Sequence, residues 1–69
     1  MEKIRHDKNF RLVYEGINWT VDLAEWFDKK TGKGELRAYR IDGDITTPLL
    51  QEALQLEAES RGLKMLINS

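Results

Sequence analysis

The chain has 69 residues, with 11 Lys and Arg against 12 Asp and Glu, one histidine and no cysteine. Compact domains begin at roughly 50 residues, so this length holds a single domain over 1–69 and excludes a second. The missing cysteine excludes disulfides, zinc ribbons, thiol nucleophiles and iron–sulfur ligation together, and a net charge of −1 excludes a uniformly basic nucleic-acid binder.

A domain this small buries only about 60% of the surface its unfolded chain exposes, so its core is marginal and self-association is a natural supplement. Met1 to Phe10 is charged and lacks the apolar run of a signal peptide, and no segment has the length of a membrane span. The expectation is a cytoplasmic protein without membrane contact. Asn18-Trp19-Thr20 matches a glycosylation sequon and reads, without an export signal, as a chance tripeptide.

The charges fall in blocks along the chain. Residues 1–14 sum to +2, 15–28 to −4, 29–40 to +4 and 41–69 to −3. Any basic surface is therefore local.

In chain order, Asp7-Lys8-Asn9 is turn chemistry and Phe10 to Tyr14 is rich in β-formers, which predicts a strand, hairpin-paired to Lys3–His6. Trp19 to Lys30 fits two periods. As a strand, Trp19, Val21, Leu23 and Phe27 alternate until Glu25 and Trp26 break the pattern. As a helix over about 20–31, Trp19, Leu23, Ala24, Trp26 and Phe27 share one arc and Asp22, Glu25, Asp28 and Lys29 the other. Thr20 or Asn18 can cap that helix, the acids lie near its N-terminus, Lys29 and Lys30 near its C-terminus, and Gly32 supplies a stop. The helix is the preferred reading.

Glu35 to Ile41 reads as a strand running into Asp42-Gly43, a hairpin-turn dipeptide. Thr47-Pro48 is an N-cap and first helical position, and a helix follows over about 47–61 with Gly62 as terminator. Leu49, Leu50, Ala53, Leu54, Leu56 and Ala58 form its apolar arc. Leu63 to Ile67 closes the chain as a strand. The fold class is α+β, a small two-layer domain with two helices on a small sheet, and the alternative is three antiparallel strands plus one C-terminal helix.

Few residues carry chemistry. His6 beside Asp7 lacks a nearby nucleophile, since the serines are Ser60 and Ser69. Asp42 and Asp44 are explained by their turn, and Lys30-Thr31-Gly32-Lys33-Gly34 lacks the spacing of a phosphate loop. No catalytic residue, metal site or cofactor is expected. Lys29, Lys30, Lys33, Arg37 and Arg40 interleave with Tyr39 as nucleic-acid contacts would, although strand alternation splits Arg37 and Tyr39 from Arg40. Trp19 and Trp26, seven apart, share a stripe if helical and pack in the core. If the segment is a strand, Trp26 turns to the polar face beside Asp22 and Asp28. Trp26 and Tyr39 are then candidate partner contacts. Glu57 and Arg61 are placed for an i,i+4 ion pair. The expected function is a non-enzymatic interaction module, an adaptor or inhibitor that binds a larger protein or a second copy of itself. The alternative is a nucleic-acid binder using Lys29 to Arg40.

Overall fold

Two runs of β-branched and aromatic residues flank Glu15-Gly16, and they form the two longest strands among the described residues. The computed structural model describes residues 1–40 and 47–68. Its elements are β1 (Glu2–Tyr14), β2 (Ile17–Asp28), β3 (Lys33–Arg40), α1 (Pro48–Ser60) and β4 (Lys64–Asn68). The sheet order is β1-β2-β3-β4. Neighbours are antiparallel through β3, and β4 joins β3 in parallel. A parallel neighbour needs a crossover, and α1 is that crossover. The α+β two-layer class holds, in a form close to the alternative of antiparallel strands with one C-terminal helix.

The helix expected over 20–31 is a strand. Its two apparent defects are resolved by partners distant in sequence. Glu25, which interrupts the apolar alternation, meets Arg61 at 2.8 Å and Arg5 at 3.9 Å. Trp26, on the opposite face, lies under the cations of Arg37 and Lys3. Trp19 and Trp26 therefore do not share a stripe. Trp19 packs on the core, and Trp26 faces away from it.

Lys3 to His6 is likewise no separate strand. It continues into β1, and register shifts at Lys3/Arg5 and Asp7/Phe10 mark two irregularities. The turn chemistry of Asp7-Lys8-Asn9 is spent on the second, where Asp7 Oδ1 accepts the Asn9 backbone N–H at 3.1 Å. Extra residues of this kind bend an edge strand and blunt it against stray pairing.

The hairpin turn that organises the sheet is Glu15-Gly16, with φ of 51° and 75°. Two positive φ values match the twist of the flanking strands. Gly16 adopts this freely, while Glu15 pays the steric cost of a left-handed residue with a Cβ. Glu15→Asn is therefore expected to raise stability by about 1 kcal/mol, read by thermal unfolding. A lowered midpoint would show that the Glu15 side chain contributes more than its backbone costs.

Asp28 shapes the β2–β3 turn. Its carbonyl accepts the Gly32 N–H at 2.8 Å, and its Oδ1 accepts the Lys30 N–H at 2.9 Å. Lys30 to Gly34 thus joins two strands rather than leaving a helix. Asp42, Gly43 and Asp44 lie outside the described residues.

α1 begins where Thr47-Pro48 places it, and the Gln51 N–H bonds the Thr47 carbonyl at 3.0 Å. It ends in a Schellman arrangement, with the Leu63 N–H on the Ala58 carbonyl at 2.9 Å and the Gly62 N–H on Glu59 at 3.1 Å. The φ of 69° at Gly62 makes this closure possible. Leu50, Ala53, Leu54 and Ala58 then pack on Leu12, Val21, Leu23, Leu36 and Ala38 to form the core. Phe10, Tyr14, Trp19, Leu63 and Met65 close its margin. Tyr14 is tied to the helix as well. Its phenol hydrogen-bonds Glu52, which with partial burial holds it above the usual tyrosine range.

Candidate functional site

Side chains of a strand alternate between faces, so α1 covers only half of each strand. The register assigns the uncovered face. β1 contributes Lys3, His6, Arg11 and Val13, and β2 contributes Thr20, Asp22, Ala24, Trp26 and Asp28. β3 contributes Lys33, Glu35, Arg37 and Tyr39, and β4 contributes Lys64 and Leu66.

At its centre the Arg37 guanidinium carbon lies 4.2 Å from the centroid of the Trp26 ring, and Lys3 Nζ lies 5.4 Å from it. Both distances suit cation–π attraction. Arg37 Nε donates to Glu35 Oε2 at 2.8 Å, and Nη2 donates to the Met1 sulfur at 3.3 Å. The Glu35 hydrogen bond holds the guanidinium above its ordinary range against the opposing pull of desolvation, and Tyr39 adds to the rise. The indole N–H of Trp26 is buried with no acceptor, an uncommon state for a tryptophan donor. Beside this cluster Tyr39 is 38% exposed and Leu66 is 41% exposed.

One row away His6 Nε2 and Asp22 Oδ1 are 2.6 Å apart. The partner of His6 is thus Asp22 across the hairpin rather than the adjacent Asp7. A His–Asp pair orients a base but needs a nucleophile to act on. Ser60 is on α1 and donates to the Glu57 carbonyl at 2.7 Å.

Charge divides unevenly between the faces. On the uncovered face Lys3, Arg11, Lys33, Arg37 and Lys64 stand against Asp22, Asp28 and Glu35. All three carboxylates have partners: Asp22 in His6, Glu35 in Arg37 and Asp28 in the Lys30 backbone. Lys3, Arg11, Lys33 and Lys64 form no ion pair among the described residues. On the helix side the reverse holds. Arg5 and Arg61 are bound by Glu25 and Glu57, and α1 itself carries Glu52, Glu57 and Glu59 with no cation. The near-neutral total conceals a basic sheet face and an acidic helix face.

Of the residues singled out in the sequence, Trp26, Tyr39, Lys33 and Arg37 come together on the uncovered face. Lys29 and Lys30 sit in the β2–β3 turn at its end, where Lys29 meets Glu2 at 3.5 Å, and Arg40 occupies the register position opposite Val21. Lys3, Arg11, Lys64 and Leu66 were missed. Once β2 is a strand, plain alternation along β1 and β4 would have found them.

Among the described residues no group of three His, Cys, Asp or Glu side chains could hold a metal, and no helix is long and apolar enough to cross a membrane. A concavity of about 400 Å³ lies between Met1, Glu2, Phe27, Asp28, Lys29 and Lys30. No family model matches the chain, and no curated protein or solved structure matches it.

Proposed function

We propose that the protein is a non-enzymatic interaction module and that its contact surface is the uncovered face of the sheet. The observation that carries this reading is the cluster of Trp26, Arg37, Lys3 and Tyr39 on a face that none of the described elements covers. Tryptophan, tyrosine and arginine are the side chains most enriched at binding hot spots, because each offers a large area at little conformational cost. A sheet face serving only as a solvated surface has no use for a tryptophan whose N–H is buried unpaired.

The test is sedimentation of the wild type at rising protein concentration, alone and with a short single-stranded oligonucleotide, beside Tyr39→Thr/Leu66→Thr and Leu56→Ala. Threonine is a good strand former, so the first variant should keep its stability within about 1 kcal/mol. Leu56 is exposed on the helix side. The expected result is an association of the wild type that the sheet-face variant loses and Leu56→Ala retains. A wild type that stays monomeric in every mixture overturns the reading, as does an association indifferent to the sheet face.

A further inference from the structure

We infer that the uncovered sheet face binds single-stranded nucleic acid, with a base on Tyr39 and on the Arg37–Trp26 stack and phosphates on Lys3, Arg11, Lys33 and Lys64. The inference rests on the preceding reading and names the partner of that same face.

Three observations select this partner over a protein. First, the face is net positive, with five cations against three carboxylates. Its carboxylates already accept hydrogen bonds, while four of its cations form no ion pair among the described residues, Lys3 touching only the Trp26 ring. Protein interfaces are depleted of lysine and acidic groups at their centres, whereas a nucleic-acid groove needs cations free to replace condensed counterions. Second, those cations come from β1, β3 and β4 and surround the aromatic centre instead of forming a separate patch. That is the layout of a chain whose phosphates run around its stacked bases. Third, the rings are presented as platforms. Tyr39 is 38% exposed, and the Arg37 guanidinium over the Trp26 ring keeps a quarter of its side chain exposed beside it, an aromatic and cationic surface of the kind that unstacked bases accept. A duplex keeps its bases stacked inside and could use only the cations.

The acidic exterior of α1 does not oppose this. It lies on the other layer and turns the molecule so that the sheet face leads an encounter with a polyanion.

The experiment is fluorescence anisotropy of a labelled single-stranded oligonucleotide, with a duplex of the same sequence and inorganic polyphosphate as competitors. Four phosphate contacts on a single strand predict a log–log salt slope near −2.8, at about 0.7 per contact, or about fifty-fold weaker binding between ~50 and ~200 mM salt. Lys3→Gln/Lys64→Gln should make that slope shallower by about 1.4. Tyr39→Thr should weaken binding roughly five- to hundred-fold and leave the slope unchanged, since stacking carries no counterion release. Polyphosphate should compete poorly at equal charge.

No binding to the single strand at low salt overturns the inference. So does binding that polyphosphate or duplex displaces equally well, or that Tyr39→Thr leaves intact, because the face would then be reading charge alone. Self-association lost in Tyr39→Thr/Leu66→Thr, without oligonucleotide binding, would leave the module reading standing and sink only this one.

Discussion

Leu54→Ala is expected to leave the protein at the edge of unfolding, with a loss of about 3 to 4 kcal/mol. Leu54 is fully buried in the middle of α1 and packs into the only hydrophobic cluster among the described residues. Its removal costs the transfer energy of the lost carbons and leaves a cavity that a short helix over a sheet cannot collapse to fill. A chain of this length has a total stability of about 3.5 to 10 kcal/mol. The loss is therefore about a third of that total at best and all of it at worst, and where the variant still folds its thermal midpoint should fall by about 12 to 30 °C. Leu56→Ala, two residues on and 46% exposed, should move stability by less than about 0.5 kcal/mol. If the two variants melt together, the placement of α1 on the sheet is wrong.

The second large effect belongs to Arg61. Its guanidinium donates to Glu25 on β2 at 2.8 Å and to Glu57 one turn back at 2.9 Å, and it lies 5.1 Å from the Phe10 ring centroid. One side chain thus joins α1, β2 and β1 beside the core. The expected Glu57–Arg61 pair is present, and its larger role is to aim Arg61 at Glu25. Arg61→Ala keeps the backbone bond from residue 61 to the Ala58 carbonyl, so the helix end survives, but two carboxylates that are each at least three-quarters buried lose their main partner. Charged hydrogen bonds are worth about 1.5 to 3 kcal/mol each. Residual exposure and screening reduce that sum, and the expected cost is about 2 kcal/mol. Arg61→Lys should recover only part of it, because an ammonium cannot present two donors in a fixed fork. A double-mutant cycle between Arg61 and Glu25 should show coupling on the order of 1 kcal/mol. Coupling near zero would mean that the contact is incidental and that Arg61 acts through Phe10.

These two variants disturb the covered side of the sheet, and the proposed binding face lies on the other. The division has a consequence for function. The cations that stabilise the fold are held by Glu25, Glu57 and Glu35 or lie over Trp26, and Arg11, Lys33 and Lys64 on the uncovered face form no ion pair among the described residues and contribute little to folding. Substitutions at Arg11, Lys33 and Lys64 can therefore be read as effects on binding, since surface charges of this kind move stability by only a few tenths of a kcal/mol, and a substitution at Lys3 adds at most the loss of its contact with Trp26, about 0.5 to 1 kcal/mol.

The sequence by itself determined the α+β class and the C-terminal helix with both its ends. Thr47-Pro48 and Gly62 act within one turn of themselves through fixed φ values and backbone bonds, and such punctuation needs no knowledge of the rest of the fold. It also located β3 and β4 closely, because their β-rich runs admit one period. Tertiary structure alone decided Trp19 to Lys30. Two periods fit that segment, and the choice turned on partners at Arg61, Arg37 and Lys3 that pattern within the segment does not contain. From that choice followed the face on which Trp26 lies, the pairing of His6 with Asp22, and which cations were left free. A helix closes its own hydrogen bonds, so its neighbours in sequence define it. A strand borrows its bonds and the burial of each face from segments distant in the chain, and the candidate site here is made of strands.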